Sequence, residues 1–180
     1  MIYTHSNNHF FSQGITSLFR KTEFQILENT IFIDMSSNDL KCGWLYDAYS
    51  RFLRIIFVDE AIFHIAKRLC YGGRTLVIHK KTPLNDIVIR LETFLNNQRR
   101  RGTGSATEKS PITVREQQVL AHLFSGKTAH YCADRLGINI KTVSQHKRSA
   151  IKKLGLKNTG ELYIYNKSIK LLLKDSGLYR

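Results

Sequence analysis

Residues 128–155 read TAHYCADRLGINIKTVSQHKRSAIKKLG, and their pattern predicts the fold of the C-terminal half of the chain. Thr128 is a residue type that often caps the start of a helix, and Gly137 is one that often ends it. Only the residues GINI separate this short helix from a second one, which we expect to begin near Lys141 and to end at Gly155. Two short helices joined by a tight turn that contains glycine form a helix-turn-helix unit.

The second helix combines a narrow apolar stripe with a strong positive charge. Residues 141–155 contain five lysines and arginines and no acidic residue. The stripe, which we expect to hold the helix on the domain, consists of Val143, Ala150, Ile151 and Leu154. A helix fits the major groove of DNA, where cationic, amide and hydroxyl groups read base edges and lysines neutralise phosphates. The outward face, which we expect to approach DNA, carries Lys141, Ser144, Gln145, Lys147 and Arg148.

Helices are also predicted before and after this unit. Thr113, followed three residues later by Glu116, has the pattern of a capping box at the start of a helix that Gly126 ends. A further helix is predicted from about Thr159. The C-terminal half, residues 112–180, is therefore predicted to be an all-α domain of four helices.

The net charge of +14 is concentrated in this half of the chain. Residues 1–97 contain 11 Lys and Arg against 9 Asp and Glu, whereas residues 98–180 contain 17 against 5. Such asymmetry is typical of a domain that contacts a polyanion, although a solvated basic face gives the same count. Residues 98–111 are rich in arginine, glycine and small polar residues, so we predict a linker there between an N-terminal domain, residues 1–97, and the C-terminal domain.

Several classes of protein are disfavoured by composition. No apolar run reaches the roughly 20 residues of a membrane span, and the N-terminus lacks the pattern of a signal peptide, so we expect a cytoplasmic protein with no membrane partner. Cys42, Cys70 and Cys132 form no CxxC pair, which predicts reduced, buried thiols rather than a disulfide or a zinc site. The acids of the C-terminal half are scattered, whereas metal-dependent nucleases cluster them. We therefore expect no enzymatic activity, metal or other cofactor.

The stretch from Ile112 to Leu162 resembles the LuxR-type helix-turn-helix domain of bacterial transcription regulators. The family pattern opens L-T-x-R-E-x-E-V-L, continues L-x-I-S-x-x-T-V-x-x-H and closes K-L-G. The matching positions are Ile112, Thr113, Arg115, Glu116, Val119, Leu120, Leu136, Ile138, Thr142, Val143, His146, Lys153, Leu154 and Gly155. The sequence departs from the pattern at Tyr131 and Cys132, which replace an acid and an isoleucine, and at Ala150, which replaces a larger core residue.

This resemblance implies a set of residues that contact DNA. Those expected to face bases or the groove are Lys141, Val143, Ser144, Lys147 and Arg148. Those expected near phosphates are Lys127, Thr128, Thr142 and Lys152, with the threonines acting through amides at helix N-termini. His146 is expected to pack or to bond the backbone rather than to read a base.

The N-terminal half alternates short apolar runs with amphipathic stretches. Strands are predicted at MIYTH, FQIL, TIFID, RIIFV and TLVIH, and helices at residues 9–21, 44–52, 60–71 and 84–97. This alternation is typical of a small α/β domain with a parallel sheet.

The order of these elements resembles a response-regulator receiver domain, and an unrelated small α/β domain is the alternative. The resemblance places Asp34 at the phosphoacceptor position and Lys80 at the phosphate-binding position. A receiver also needs a pair of acids after its first strand to hold magnesium, whereas this sequence has Ser6 and Asn7 there. The usual switch threonine or serine is missing as well. We therefore expect a degenerate receiver that phosphorylation does not switch.

Together these features predict a bacterial transcription regulator that binds double-stranded DNA. One helix-turn-helix unit reads only a few base pairs, so a second unit is expected. We expect a homodimer, or a heterodimer in which the protein is an auxiliary partner of another response regulator, and RNA polymerase is a further candidate partner. The alternative function is a phosphorylation-dependent response regulator that uses Asp34.

Overall fold

The computed structural model describes residues 3–21, 29–42, 49, 51–70, 73–101 and 112–174. The chain forms two compact units, the first built mainly from the N-terminal 108 residues and the second mainly from the rest. Within the described ranges, no helix is both long enough and apolar enough to cross a membrane. The boundary between the N-terminal domain and the linker, at residues 97 and 98, remains a prediction. So does the boundary between the linker and the C-terminal domain, at residues 111 and 112.

The first unit is a parallel sheet whose strands alternate with helices. The described elements from Tyr3 to Arg101 are β1 Tyr3–His5, α1 His9–Lys21, β2 Thr30–Met35, α2 Ser37–Cys42, β3 Leu53–Val58, α3 Glu60–Leu69, β4 Thr75–His79 and α4 Leu84–Arg101. All of them belong to the first unit except the second half of α2, which begins at Leu40 and is grouped with the second unit. The strand order is β1-β2-β3-β4, and each neighbouring pair is parallel. Parallel neighbours require a crossover connection, which usually contains a helix. The predicted small α/β fold with a parallel sheet is confirmed.

The core of this unit lies between the sheet and two of its helices. β2 and β3 are apolar at most positions, as is typical of parallel strands that are covered on both faces. Phe32, Ile55 and Ile78 are completely buried. Ile15 of α1 and Leu91 of α4 belong to the same core cluster. α1 and α4 therefore cover one face of the sheet, and Ile33 and Ile56, which point to the other face, are buried as well.

Three predicted helices of this unit are confirmed, with ends that agree within four residues: 9–21, 60–71 and 84–97. The last of them continues to Arg101, so the first residues of the predicted linker are helical. Arginine, asparagine and glutamine are compatible with a helix interior, so their polarity did not end it. The predicted strand FQIL and most of the predicted helix 44–52 lie outside the described residues, while Arg51 and Phe52 form a turn and a bend.

All regular secondary-structure elements described from Ile112 onward are helices. These are α5 Val114–Phe124, α6 Ala129–Leu136, α7 Ile140–Lys153, α8 Thr159–Ile164 and α9 Asn166–Lys174. The all-α helix-turn-helix fold is confirmed, but the predicted fourth helix is divided into α8 and α9. The division falls at Tyr165, a buried residue whose backbone angles (φ −95°, ψ 15°) end α8.

Small and aliphatic side chains form the core of the second unit. One buried cluster joins α5, α6 and α7 and consists of Val119, Cys132, Ala133 and Val143. Cys70 of the first unit and Cys132 are buried free thiols, as predicted, and burial raises the pKa of the Cys132 thiol. The side chain of Cys42 lies outside those described.

Candidate nucleic-acid interface

Local contacts fix the geometry of α6, the turn and α7. The Thr128 hydroxyl accepts a hydrogen bond from the amide of Tyr131 at 3.2 Å, which caps α6 as predicted. Gly137 ends α6 with φ +63°, in the left-handed region that favours glycine. The Asn139 side chain accepts from the amide of Lys141 at 2.8 Å and caps α7. α7 therefore begins at a defined position relative to α6.

One face of α7 is buried in the unit. Ala150 and Leu154 are completely buried, and Ile151 is nearly so, which confirms the predicted stripe. Val143, which the LuxR resemblance also placed toward the DNA groove, is only 1% exposed. That prediction is wrong, because Val143 lies two turns before Ala150 on the same helix face and packs in the core with Val119.

The opposite face of α7 is cationic and open to solvent. Its exposed residues recur every three or four positions and therefore share one face; they are Lys141, Gln145, Arg148 and Lys152. The other residues of interest on this helix are half-buried, namely Thr142, Ser144, His146 and Lys147. The helix contains no acidic residue, so its outer face presents cations and an amide without a competing carboxylate.

Lys127 and Thr128, the predicted phosphate contacts beside α6, are both exposed at the start of that helix. The Lys127 ammonium lies 5.1 Å from the centre of the Tyr131 ring, which is a cation–π distance. The Tyr131 ring meets the His122 ring edge to face, with 5.7 Å between their centres. The tyrosine that departs from the LuxR pattern therefore holds Lys127 at the helix start, a contact that the sequence analysis missed.

Glu116 joins the start of α5 to the end of α7. The predicted capping box is present, because the Thr113 amide donates to Glu116 Oε2 at 2.6 Å and the Glu116 amide donates to Thr113 Oγ1 at 3.3 Å. The same carboxylate accepts hydrogen bonds from Lys153 Nζ at 2.8 and 2.9 Å and from Ser149 Oγ at 2.7 Å. The capping role of Glu116 was predicted from its spacing to Thr113, whereas its partners on α7 were not predicted.

The charge of Glu116 is stabilised although its side chain is only 3% exposed. Burial alone raises the pKa of a carboxyl group, because it disfavours the charged form. In Glu116 the hydrogen bonds from Lys153, Ser149 and Thr113 outweigh burial and lower the pKa to about 2. A buried, charged carboxylate therefore ties the C-terminal end of α7 to the domain.

A second polar cluster lies at the carboxyl ends of the strands in the first unit. Both carboxylate oxygens of Asp34 are engaged: Lys80 Nζ lies 2.6 Å from Oδ1, and Ser6 Oγ donates to Oδ2 at 2.8 Å. Lys80 Nζ also lies 3.0 Å from Asp59 Oδ2. Burial lowers the pKa of Lys80, but the hydrogen bonds and charges of Asp34 and Asp59 outweigh it and raise the pKa. The structure thus brings Asp34 and Lys80 together, with a serine hydroxyl beside them.

Metal-ligating residues are sparse around this cluster. Among the described residues, no three His, Cys, Asp or Glu side chains form a group that can hold a metal ion. Asn7, which follows Ser6 in the position of the missing acids, is exposed.

Residues 110–166 match the family described as bacterial regulatory proteins, luxR family. This region is a LuxR-family domain. It spans all of α5, α6 and α7 and continues through α8 to the first residue of α9. The LuxR resemblance is therefore confirmed for the part of the chain that contains the cationic helix.

Two relatives extend the similarity beyond this domain. The chain is 31% identical over 136 residues to the Fimbriae Z protein of Salmonella typhimurium, a match that covers 66% of this chain and 63% of the relative. It is 30% identical over 114 residues to the oxygen regulatory protein NreC of Staphylococcus aureus, which covers 63% of this chain and 50% of the relative. The chain thus spans between half and two thirds of the length of these relatives.

Solved structures with similar chains have low sequence identity to this protein. A structure of two RcsB dimers bound to two parallel DNAs matches with a TM-score of 0.49 and 16% identity, over 93% of this chain and 98% of that chain. Full-length FixJ from B. japonicum matches with a TM-score of 0.38 and 15% identity, over 98% of this chain and 97% of that chain.

Proposed function

We propose that this protein is a bacterial transcription regulator that binds double-stranded DNA in a sequence-specific manner through α7. The observation that carries the proposal is the outer face of α7, which presents three exposed cations and an amide on a helix whose other face is buried. A helix of this width enters the major groove, where such side chains read base edges. The LuxR-family match of residues 110–166 supports the same function.

The proposed contacts follow from the place of each residue on or beside α7. Proposed contacts to bases or to the groove are Lys141, Ser144, Lys147 and Arg148. Proposed contacts to phosphate are Lys127, Thr128, Thr142 and Lys152. At a rise of ~1.5 Å per residue, the helix from Lys141 to Arg148 covers roughly 10 Å, or about three base pairs.

A site of about three base pairs does not distinguish one promoter from the rest of a genome, so a second reading unit is needed. We propose that the protein obtains it by forming a homodimer or by pairing with another response regulator. Both assemblies place two helix-turn-helix units on adjacent half-sites. The function requires no enzymatic activity and no cofactor, and it places the protein in the cytoplasm.

We also propose that phosphorylation of Asp34 does not control this regulator. Ser6 contributes a neutral hydroxyl where magnesium-dependent phosphoryl transfer needs a carboxylate to hold the metal. Both oxygens of Asp34 are already engaged, one by Lys80 and the other by Ser6. The alternative, a phosphorylation-dependent response regulator, is favoured by the closeness of Asp34 to Lys80.

Selection of bound sequences from a pool of random DNA duplexes tests the proposed function. We expect the full-length protein to enrich one short sequence, and the Lys147→Ala variant to lose preference at one or more positions of it. Lys167→Ala removes the same charge from an exposed position on α9 and is the matched control. If the wild-type protein enriches no sequence, the proposal of sequence-specific binding is wrong.

A further inference from the structure

In the first unit, acidic residues and arginines lie at opposite ends of the strands. We call the end at which the parallel strands finish the carboxyl edge and the end at which they begin the amino edge. The carboxyl edge carries most of the described acids of this unit, including Asp34, Asp59 and Glu60, with Lys80 among them. The amino edge, where the strands begin, carries arginines instead. The net charge of residues 1–97 is small because acids at one edge balance arginines at the other. The cationic amino edge has no role in the proposed function.

Three arginines are held together where β3 and β4 begin. Arg51 and Arg54 flank the first residue of β3, and Arg74 immediately precedes β4. The Arg74 guanidinium donates from Nη2 to the carbonyl oxygen of Arg51 at 2.7 Å. The amide of Arg54 donates to the carbonyl oxygen of Arg74 at 2.8 Å. These contacts fix the three residues as neighbours, and both Arg51 and Arg74 are exposed.

The C-terminal end of α4 brings further arginines to the same edge. Gln98 on α4 donates from Nε2 to the carbonyl oxygen of Gly73, the residue before Arg74. Arg99 and Arg100 follow Gln98 directly and are exposed. We call the group formed by the exposed residues Arg51, Arg74 and Arg100 the arginine edge.

Helix electrostatics explain part of this arrangement. Cations near a helix C-terminus offset the partial negative charge of the last carbonyl groups, which accounts for Arg99 and Arg100. That effect does not account for Arg51 and Arg74, which lie just before the first residues of β3 and β4.

We infer that the arginine edge is a second DNA-contacting surface, which binds phosphates that flank the sequence read by α7. Guanidinium groups match phosphate oxygens in pairs of hydrogen bonds, and such contacts bind the backbone without reading bases. The proposed function already requires this protein to bind a DNA duplex, which is a polyanion. The inference rests on that proposed function and adds a surface on the other unit.

The test is the salt dependence of DNA binding by the full-length protein. The variant Arg51→Gln/Arg100→Gln removes two exposed arginines of the edge and keeps Arg74, whose guanidinium also binds the Arg51 carbonyl oxygen. The variant Lys81→Gln/Arg90→Gln removes two exposed cations from elsewhere on the same unit and is the control for net charge. Each variant is titrated on a short duplex that covers only the selected sequence and on one extended by about two helical turns on each side.

On the extended duplex, the loss of two phosphate contacts lowers the slope of log affinity against log salt by about 1.8. Between 50 and 200 mM salt, the wild-type protein then loses about twelvefold more affinity than the edge variant. On the short duplex the two proteins behave alike, and the control variant resembles the wild type on both.

If the edge variant and the control variant lower the salt slope by the same amount, net charge is the cause and the inference is wrong. An edge variant that matches the wild type on the extended duplex also overturns it, and then an acidic protein becomes the candidate ligand of this surface. The proposed function fails separately, if the wild-type protein shows no preference for any sequence on the short duplex.

Discussion

Replacement of Glu116 by glutamine tests how strongly α7 is anchored to its domain. Glutamine keeps the size of the side chain but removes the charge that Lys153 Nζ approaches at 2.8 and 2.9 Å. It also weakens the hydrogen bonds from the Thr113 amide and the Ser149 hydroxyl. Because the Lys153 side chain is 38% exposed and that of Glu116 is 3% exposed, water solvates the ammonium group in the variant, and the cost comes from the lost charge-assisted hydrogen bonds at the buried Glu116 side chain.

The magnitude follows from the pKa of the carboxyl group. The folded protein lowers the pKa of Glu116 from 4.5 to about 2, and each pKa unit corresponds to about 1.4 kcal/mol, so the charged form contributes roughly 3 kcal/mol to the free energy of unfolding. Because the folded-state pKa is the lower one, this contribution is complete above about pH 5 and is lost as the pH falls toward 2. Glu116→Gln is therefore expected to cost about 3 kcal/mol at pH 7 and much less near pH 2.

The assay is urea unfolding of the full-length protein at several pH values. Unfolding is monitored by amide hydrogen exchange in the second unit, so that the stability of this unit is measured separately from that of the first. Glu161→Gln is the matched control, because Glu161 also lies in the first turn of a helix and accepts from a backbone amide, that of Lys157, at 2.7 Å. A Glu116→Gln variant as stable as Glu161→Gln at pH 7 contradicts the reasoning. So does a variant whose stability falls between pH 5 and pH 2 as steeply as that of the wild type.

Two further predictions concern Asp34 and Tyr131. A small phosphodonor with magnesium is expected to add no phosphoryl group to the wild-type protein, and Asp34→Asn is expected to leave promoter output unchanged; a phosphoryl adduct in the mass spectrum of the wild type, absent from Asp34→Asn, refutes this. Tyr131→Leu is expected to weaken binding to any duplex about two- to fivefold through the lost cation–π contact with Lys127, and Tyr131→Phe to leave it unchanged. Tyr131→Leu should have no further effect in a Lys127→Ala background, and an equal effect in both backgrounds contradicts the positioning role of the ring.

The features of the second unit that were predictable from sequence are local ones. Thr113, Thr128 and Gly137 act within four residues along the chain, so their residue types alone indicated the helix ends. The partnership of Glu116 with Lys153 was not predictable in this way, because the two residues are 37 positions apart and meet only when α5 and α7 pack. Their pairing depends on tertiary structure.

Two predictions made from the sequence differ from the structure for physical reasons. The helical spacing that placed Val143 in the apolar stripe was correct, and the groove contact carried over from the family pattern was incompatible with it. The break at Tyr165 carries no glycine or proline, so nothing in the local sequence marks it. In the first unit, the contact of Ser6 with Asp34 joins residues 28 positions apart and appears only once the parallel strands align.

Binding of α7 to the DNA major groove is tested by the affinity of the wild-type protein and of Lys147→Ala for the selected duplex and for a random one, measured over a range of salt concentrations. If Lys147 contacts a base, the variant loses ~1–3 kcal/mol on the selected duplex and little on the random one. If it contacts phosphate, binding weakens on both and the salt slope falls by about one. Either result places α7 on DNA. Unchanged affinity for both duplexes contradicts the assignment of α7 to the major groove.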